Sequence, residues 1–126
     1  MKEEVNLWLR QSEKDFEVAE KNFKINEFYS AVFWSQQSAE KGLKAVYIFK
    51  NNSLPPRIHD LVELCRLIKA PDEIISNAGK LVVAYIFSRY PGAAPKIPEE
   101  YYDKKKTEEH LSWAKEILEW VKKQII

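Results

Sequence analysis

Between Glu27 and Lys50 apolar side chains recur at helical spacing without a break. Phe28, Ala31, Val32, Ala39, Leu43, Val46 and Tyr47 share one broad stripe, with Ser35 inside it. The stripe is too wide for one neighbouring helix to cover, so this segment belongs inside a layered helical structure with several partners. Ala31, Ser35, Ala39 and Gly42 are small, and they let another helix backbone approach closely. Asn51-Asn52-Ser53 followed by Pro55-Pro56 ends the segment.

The rest of the chain supplies the partners. A helix from about Glu3 to Asn22 repeats Val5, Trp8, Leu9, Phe16 and Ala19 towards Phe23, and Asn26 is placed to cap the helix that follows. A short helix from about His59 to Ile68 turns Leu61, Val62, Leu64, Cys65 and Ile68 inward. A fourth runs from about Asp72, as N-cap, to Arg89. Its stretch Leu81 to Phe87 has strand propensity, but the surrounding helical period and the lack of a second strand decide for helix. Tyr90-Pro91 stops it, and Pro91 to Glu100 reads as a long loop. The last helix, about Asp103 to Lys123, carries His110, Trp113, Ala114, Ile117, Leu118 and Val121 on one seam. The expectation is a single all-α domain over residues 1–126, an up-and-down antiparallel four-helix-type bundle with an additional short helix. Trp8, Trp34, Trp113 and Trp120 are many for this length, and a tryptophan left outside the core points to a dimer interface.

Several classes of function are set aside. The net charge of +1 gives no global field for nucleic acid, so any such binding needs a local patch. One cysteine, Cys65, forms no internal disulfide and no cysteine-based zinc cluster, which fits a reducing cytoplasm. The start Met1-Lys2-Glu3-Glu4 does not read as a signal peptide, and no apolar run reaches the length of about 20 residues that a membrane span needs. The expectation is therefore a cytoplasmic protein without membrane contact. No glycine-rich phosphate loop, nucleophile elbow or paired histidines occur, so neither a cofactor nor a metal is expected.

Three clusters remain. In Gln36-Gln37-Ser38-Ala39-Glu40-Lys41-Gly42-Leu43-Lys44, Glu40 and Lys44 are helical neighbours, and Gln37 lies a turn earlier. This is either a helix-stabilising ion pair or a polar stripe facing a groove. In Arg57-Ile58-His59-Asp60-Leu61, Asp60 suits a helix start, while His59 has the intrinsic range of a general acid or base. In Ser88-Arg89-Tyr90-Pro91, Arg89 either complements a helix C-terminus or is held to grip phosphate with its guanidinium fork.

These clusters, together with Trp8-Leu9-Arg10-Gln11-Ser12-Glu13-Lys14-Asp15-Phe16 and the Ala114 to Val121 helix, carry a resemblance over nearly the whole chain. The chain resembles the HEPN domain family, helical domains named for nucleotide binding in higher eukaryotes and prokaryotes. The resemblance implies a homodimeric bundle and a minimal nucleotidyltransferase partner in a toxin–antitoxin type system. Nucleotide or RNA is the implied ligand, with candidate binding residues Gln37, Glu40, Lys44, His59, Asp60, Arg89 and Tyr90. Family members that cleave RNA without metal place a histidine after an arginine with four to six residues between them. After Arg89 those positions hold Ala94, Pro95 and Lys96. The usual ribonuclease motif is thus missing, and an enzyme of that kind would need a rearranged pair, His59 with Arg89. The third possibility is a purely structural dimerisation module.

Overall fold

A computed structural model describes residues 2–93 and 96–125. Met1 and Ile126 lie outside the described residues, as do Ala94 and Pro95, two of the positions at which the resemblance looks for a histidine. The described residues form seven helical segments and no strand: α1 (Lys2–Lys24), α2 (Phe28–Asn51), α3 (Leu61–Leu67), α4 (Asp72–Val82), α5 (Ala84–Phe87), α6 (Pro98–Tyr101) and α7 (Lys104–Gln124). The long helices α1, α2, α4 and α7 make the bundle, and α3 packs on α2 and α4 as the additional short helix.

α2 is the centre of the bundle, as its stripe requires. It packs on α1 along one side and on α7 along another, and thirteen of its residues are buried. The α1–α2 crossing is close because its interface is polar and small. Ser12 Oγ donates to the Ser38 carbonyl at 2.6 Å, and Ser38 Oγ donates back to the Ser12 carbonyl at 2.8 Å. Gly42 completes the approach. A Cβ there would stand 3.0 Å from Ser12 Oγ and 3.4 Å from a Val121 methyl. The main core gathers Leu43, Val46, Leu61, Leu64, Cys65, Ile74, Leu81, Ile117 and Val121 from α2, α3, α4 and α7. A smaller cluster at the other end joins Val32, Ala84 and Tyr102.

Helix ends correct several expectations. Asn26 does not cap α2. It sits at φ +63, the left-handed turn that lets the chain leave α1, and Glu27 takes the cap position without a side-chain bond. Asparagine tolerates that conformation better than most side chains, so it is used here as a stop for α1 and not as a start for α2. Asp72 is the first residue of α4 and not its cap, because Pro71 precedes it in extended conformation. The expected helix to Arg89 is interrupted at Val83 and ends at Phe87. The Val82-Val83 pair lowers helix propensity there. The loop from Pro91 contains the short helix α6, started by Pro98 at a position that suits proline.

α3 begins slightly later than its sequence suggests. Asp60 is its cap, its carboxylate accepting from the Val62 and Glu63 amides at 3.0 and 3.3 Å, so His59 lies just outside the helix. Asp60→Ala is expected to cost about 1 kcal/mol of stability, measured by urea unfolding, as for other N-cap deletions.

Candidate functional site: a carboxylate–histidine pair beside an arginine on an aromatic shelf

The site starts from Glu40, which the small-residue face of α2 carries into the interior, where it is only 5% exposed. A carboxylate so buried needs partners, and three reach it. Lys44, one turn on, donates to it at 3.1 Å and is itself buried. Gln36, one turn earlier, donates at 3.4 Å and is held in turn by Gln37, whose amide donates to it at 2.7 Å. The third partner comes from the loop before α3: His59 Nδ1 lies 3.0 and 3.2 Å from the two carboxylate oxygens. An ionised carboxylate only accepts, so Nδ1 carries the hydrogen, and Nε2 is the nitrogen presented outward on a half-exposed ring.

His59 is also held from below. Its ring stacks on Tyr85 of α5, with centroids 4.4 Å apart and planes 16° apart. Arg89 uses the same tyrosine, its guanidinium carbon lying 4.7 Å from the Tyr85 centroid. Phe33 at 5.4 Å and Tyr90 at 5.5 Å complete the aromatic surroundings of Arg89. Tyr85 and Arg89 are one helical turn apart, and the turn past α5 is closed by Ser88, whose hydroxyl donates to the Ala84 carbonyl. Among the described residues no carboxylate pairs with Arg89. Beside it opens a cavity of about 310 Å³ walled by Tyr29, Ser30, Phe33, Ser88 and Arg89.

Of the sequence candidates, Glu40, Lys44, His59, Arg89 and Tyr90 therefore lie along one line of contacts, and Gln37 joins it through Gln36. Asp60 does not, because its carboxylate serves the α3 amides. Tyr85, Phe33 and Gln36 are members that the sequence reading missed. Gln36–Glu40–Lys44 and Tyr85–Arg89 both have i, i+4 spacing, which would have pointed to two of them. The other ionisable groups stand apart. Burial pushes the Cys65 thiol up to about 12, which removes it as a nucleophile. Burial also holds His110 below the usual imidazole range; its Nδ1 lies 2.7 Å from the Lys106 carbonyl and its ring tilts on Trp113, so it is a core histidine.

The bundle and the sequence segments that carry the resemblance define a HEPN domain. The family model matches residues 5–124, and the chain belongs to the HEPN domain family. Among known proteins it is 31% identical to a Methanocaldococcus jannaschii protein named "Putative toxin MJ1304", over 92% of this chain and 84% of that one. The crystal structure of ST0689, described as an archaeal HEPN homologue, is 35% identical. It superposes with a TM-score of 0.84 over 97% of this chain and 98% of that one. The crystal structure of TT1696 from Thermus thermophilus superposes at 0.87 with 26% identity, over 95% of this chain and 97% of that one. Among the described residues no helix is long and apolar enough to cross a membrane.

Proposed function

We propose that this HEPN domain binds the phosphate of a nucleotide or RNA at Arg89, works as a homodimer, and acts with a minimal nucleotidyltransferase in a toxin–antitoxin type system. The observation that carries the ligand reading is Arg89 itself. It is an exposed guanidinium laid on aromatic rings, with no carboxylate to neutralise it among the described residues, beside a cavity of nucleotide-compatible lining. A fork of donors held among rings in this way suits a phosphate, and the rings around it suit a base or ribose. Lys44 acts from inside, fixing Glu40 so that Glu40 fixes His59. Self-association is supported by the exposed Tyr29, Ile86 and Tyr90 on the segments that carry the Arg89 site. The toxin–antitoxin reading is supported by the relative named as a toxin.

A second reading has its own observation. Glu40 on Nδ1 of His59 is the arrangement in which a carboxylate orients an imidazole for proton transfer. In a metal-independent ribonuclease built on this pair, His59 Nε2 would take the proton of the attacking 2′-hydroxyl as it bonds to phosphorus and return it to the departing 5′-oxygen, and Arg89 would stabilise the negative charge developing on the non-bridging oxygens. One gel experiment tests both. Labelled RNA is incubated with wild type, Arg89→Ala and His59→Ala in the presence of chelator. Arg89→Ala is expected to weaken retardation by about tenfold or more, the loss typical of a charge-assisted contact. Unchanged retardation would remove the ligand reading. Cleavage by wild type that His59→Ala abolishes would establish the ribonuclease. Co-purification with a nucleotidyltransferase, and the mass in solution by light scattering, test the remaining two parts.

A further inference from the structure

Trp113 and Trp120 pack against the main core, and Trp34 lies edge-on to Phe33. Trp8 packs against neither apolar cluster among the described residues. It is half-buried on α1, with the Lys44 ammonium 5.8 Å from its ring centre. With Leu7, Gln11 and Lys41 it walls an open cavity of about 230 Å³ between α1 and α2. That volume falls below the range of about 300–1,000 Å³ typical of drug-sized ligand pockets and suits one flat ring system.

The polar rim of this cavity is fixed from within. Asp15, 2% exposed, accepts from the Gln11 amide at 2.8 Å on one oxygen and from Lys41 at 2.5 Å on the other. Both rim side chains are therefore held by a buried carboxylate. Gln11 keeps its carbonyl oxygen and its second amide hydrogen free for another partner among the described residues. A planar apolar wall and an amide with a donor and an acceptor suit the face and the edge of a nucleobase. The cavity is separate from the one beside Arg89, and a chain of side-chain contacts through the interior links the two: Trp8 lies near the Lys44 ammonium, Lys44 holds Glu40, Glu40 holds His59, and His59 and Arg89 share Tyr85.

We infer that the Trp8 cavity is a nucleobase subsite, in which one base of a single-stranded RNA stacks on the indole while a phosphate elsewhere on the same strand engages Arg89. This rests on the phosphate reading of Arg89 given above. Gln11 reads the edge of the base. The base is the recognised feature, so the site favours a strand with bases over a bare sugar–phosphate chain.

Fluorescence polarisation with two labelled oligoribonucleotides tests this: one complete, and one of equal length with abasic positions throughout. Trp8→Ala is expected to weaken binding of the complete strand by about tenfold or more, the usual effect of removing a stacking ring. It should leave the abasic strand unchanged. Trp8→Phe should keep most of the affinity. Trp8→Leu, which keeps apolar bulk without a flat face, replaces the alanine variant if that does not fold by circular dichroism. Equal losses on both strands, or none, overturn the subsite. So does a Trp8 variant that changes the mass in solution, since the ring would then belong to a contact between copies. Arg89→Ala separates this failure from that of the phosphate reading. If Arg89→Ala weakens both strands while Trp8→Ala weakens neither, the subsite falls and the phosphate reading stands. If Arg89→Ala weakens neither, the phosphate reading falls and the two-part site falls with it.

Discussion

Gly42→Leu is expected to lower the unfolding free energy by about 3 kcal/mol or more and to give a visibly less cooperative melt. The reason is the α1–α2 crossing. The reciprocal Ser12–Ser38 bonds hold the two backbones together at one level, and the next level of α2 is Gly42. A first carbon at that position already stands 3.0 Å from Ser12 Oγ, an atom tied to the Ser38 carbonyl at 2.6 Å and so not free to turn away. On another side it meets the Val121 methyls at 3.4 and 3.6 Å. Leucine adds three more carbons to a space that does not accept the first without movement. Either α1 or α7 has to shift, and both pack along much of α2. Gly42→Ala is the control. Its gain in helix propensity of about 1 kcal/mol works against the contact with Ser12, so it should change stability by less than about 1 kcal/mol in either direction. Chemical denaturation of the three proteins decides the matter, and a leucine variant as stable as wild type would mean that the crossing is looser than these distances.

That crossing also illustrates what could be read from the sequence. The stripe on α2 is legible because its period and its small residues are local properties of one segment, and they require several helical partners whatever those partners are. The same holds for the i, i+4 pair Glu40–Lys44. The identity of the groups that meet these residues is a different kind of information. Nothing local to Ser12 says that it lies 0% exposed against Ser38. Nor does anything local to Asp15 say that it is buried under Lys41. His59 meets a carboxylate 19 residues away, and that contact depends on where the loop after α2 turns back. The sequence offers Asp60 as a helix cap, correctly, and its neighbour His59 as a candidate acid or base. It does not say that His59 and Arg89 share the Tyr85 ring, because that requires α5 to dock beside the loop. Long-range pairing of polar groups is set by packing of apolar ones, so the site was legible as residues and not as an arrangement.

The second large effect is expected at the centre of the site. Lys44→Met should destabilise the protein by about 3–5 kcal/mol at neutral pH, the usual cost of removing one partner from a buried ion pair. Methionine fills a similar volume, so the loss reports charge more than cavity. Glu40 would keep Gln36, at 3.4 Å, and His59, which is half-exposed and charged only if protonated. Neither replaces an ammonium at 3.1 Å. The pair is tested as a cycle with Lys44→Met, Glu40→Leu and the double variant. If the pair is a mutual requirement and not a net source of stability, the double variant should recover most of the loss, because no buried charge remains uncompensated. It should not recover RNA retardation in a gel, since without Glu40 nothing holds His59 Nδ1 and the ring is free to leave Tyr85. A double variant that is stable and still binds RNA like wild type would show that the Glu40–Lys44 pair is structural alone and that Arg89 works without it. A double variant that is stable and binds poorly, with Arg89 intact, would place the orientation of His59 among the requirements for binding.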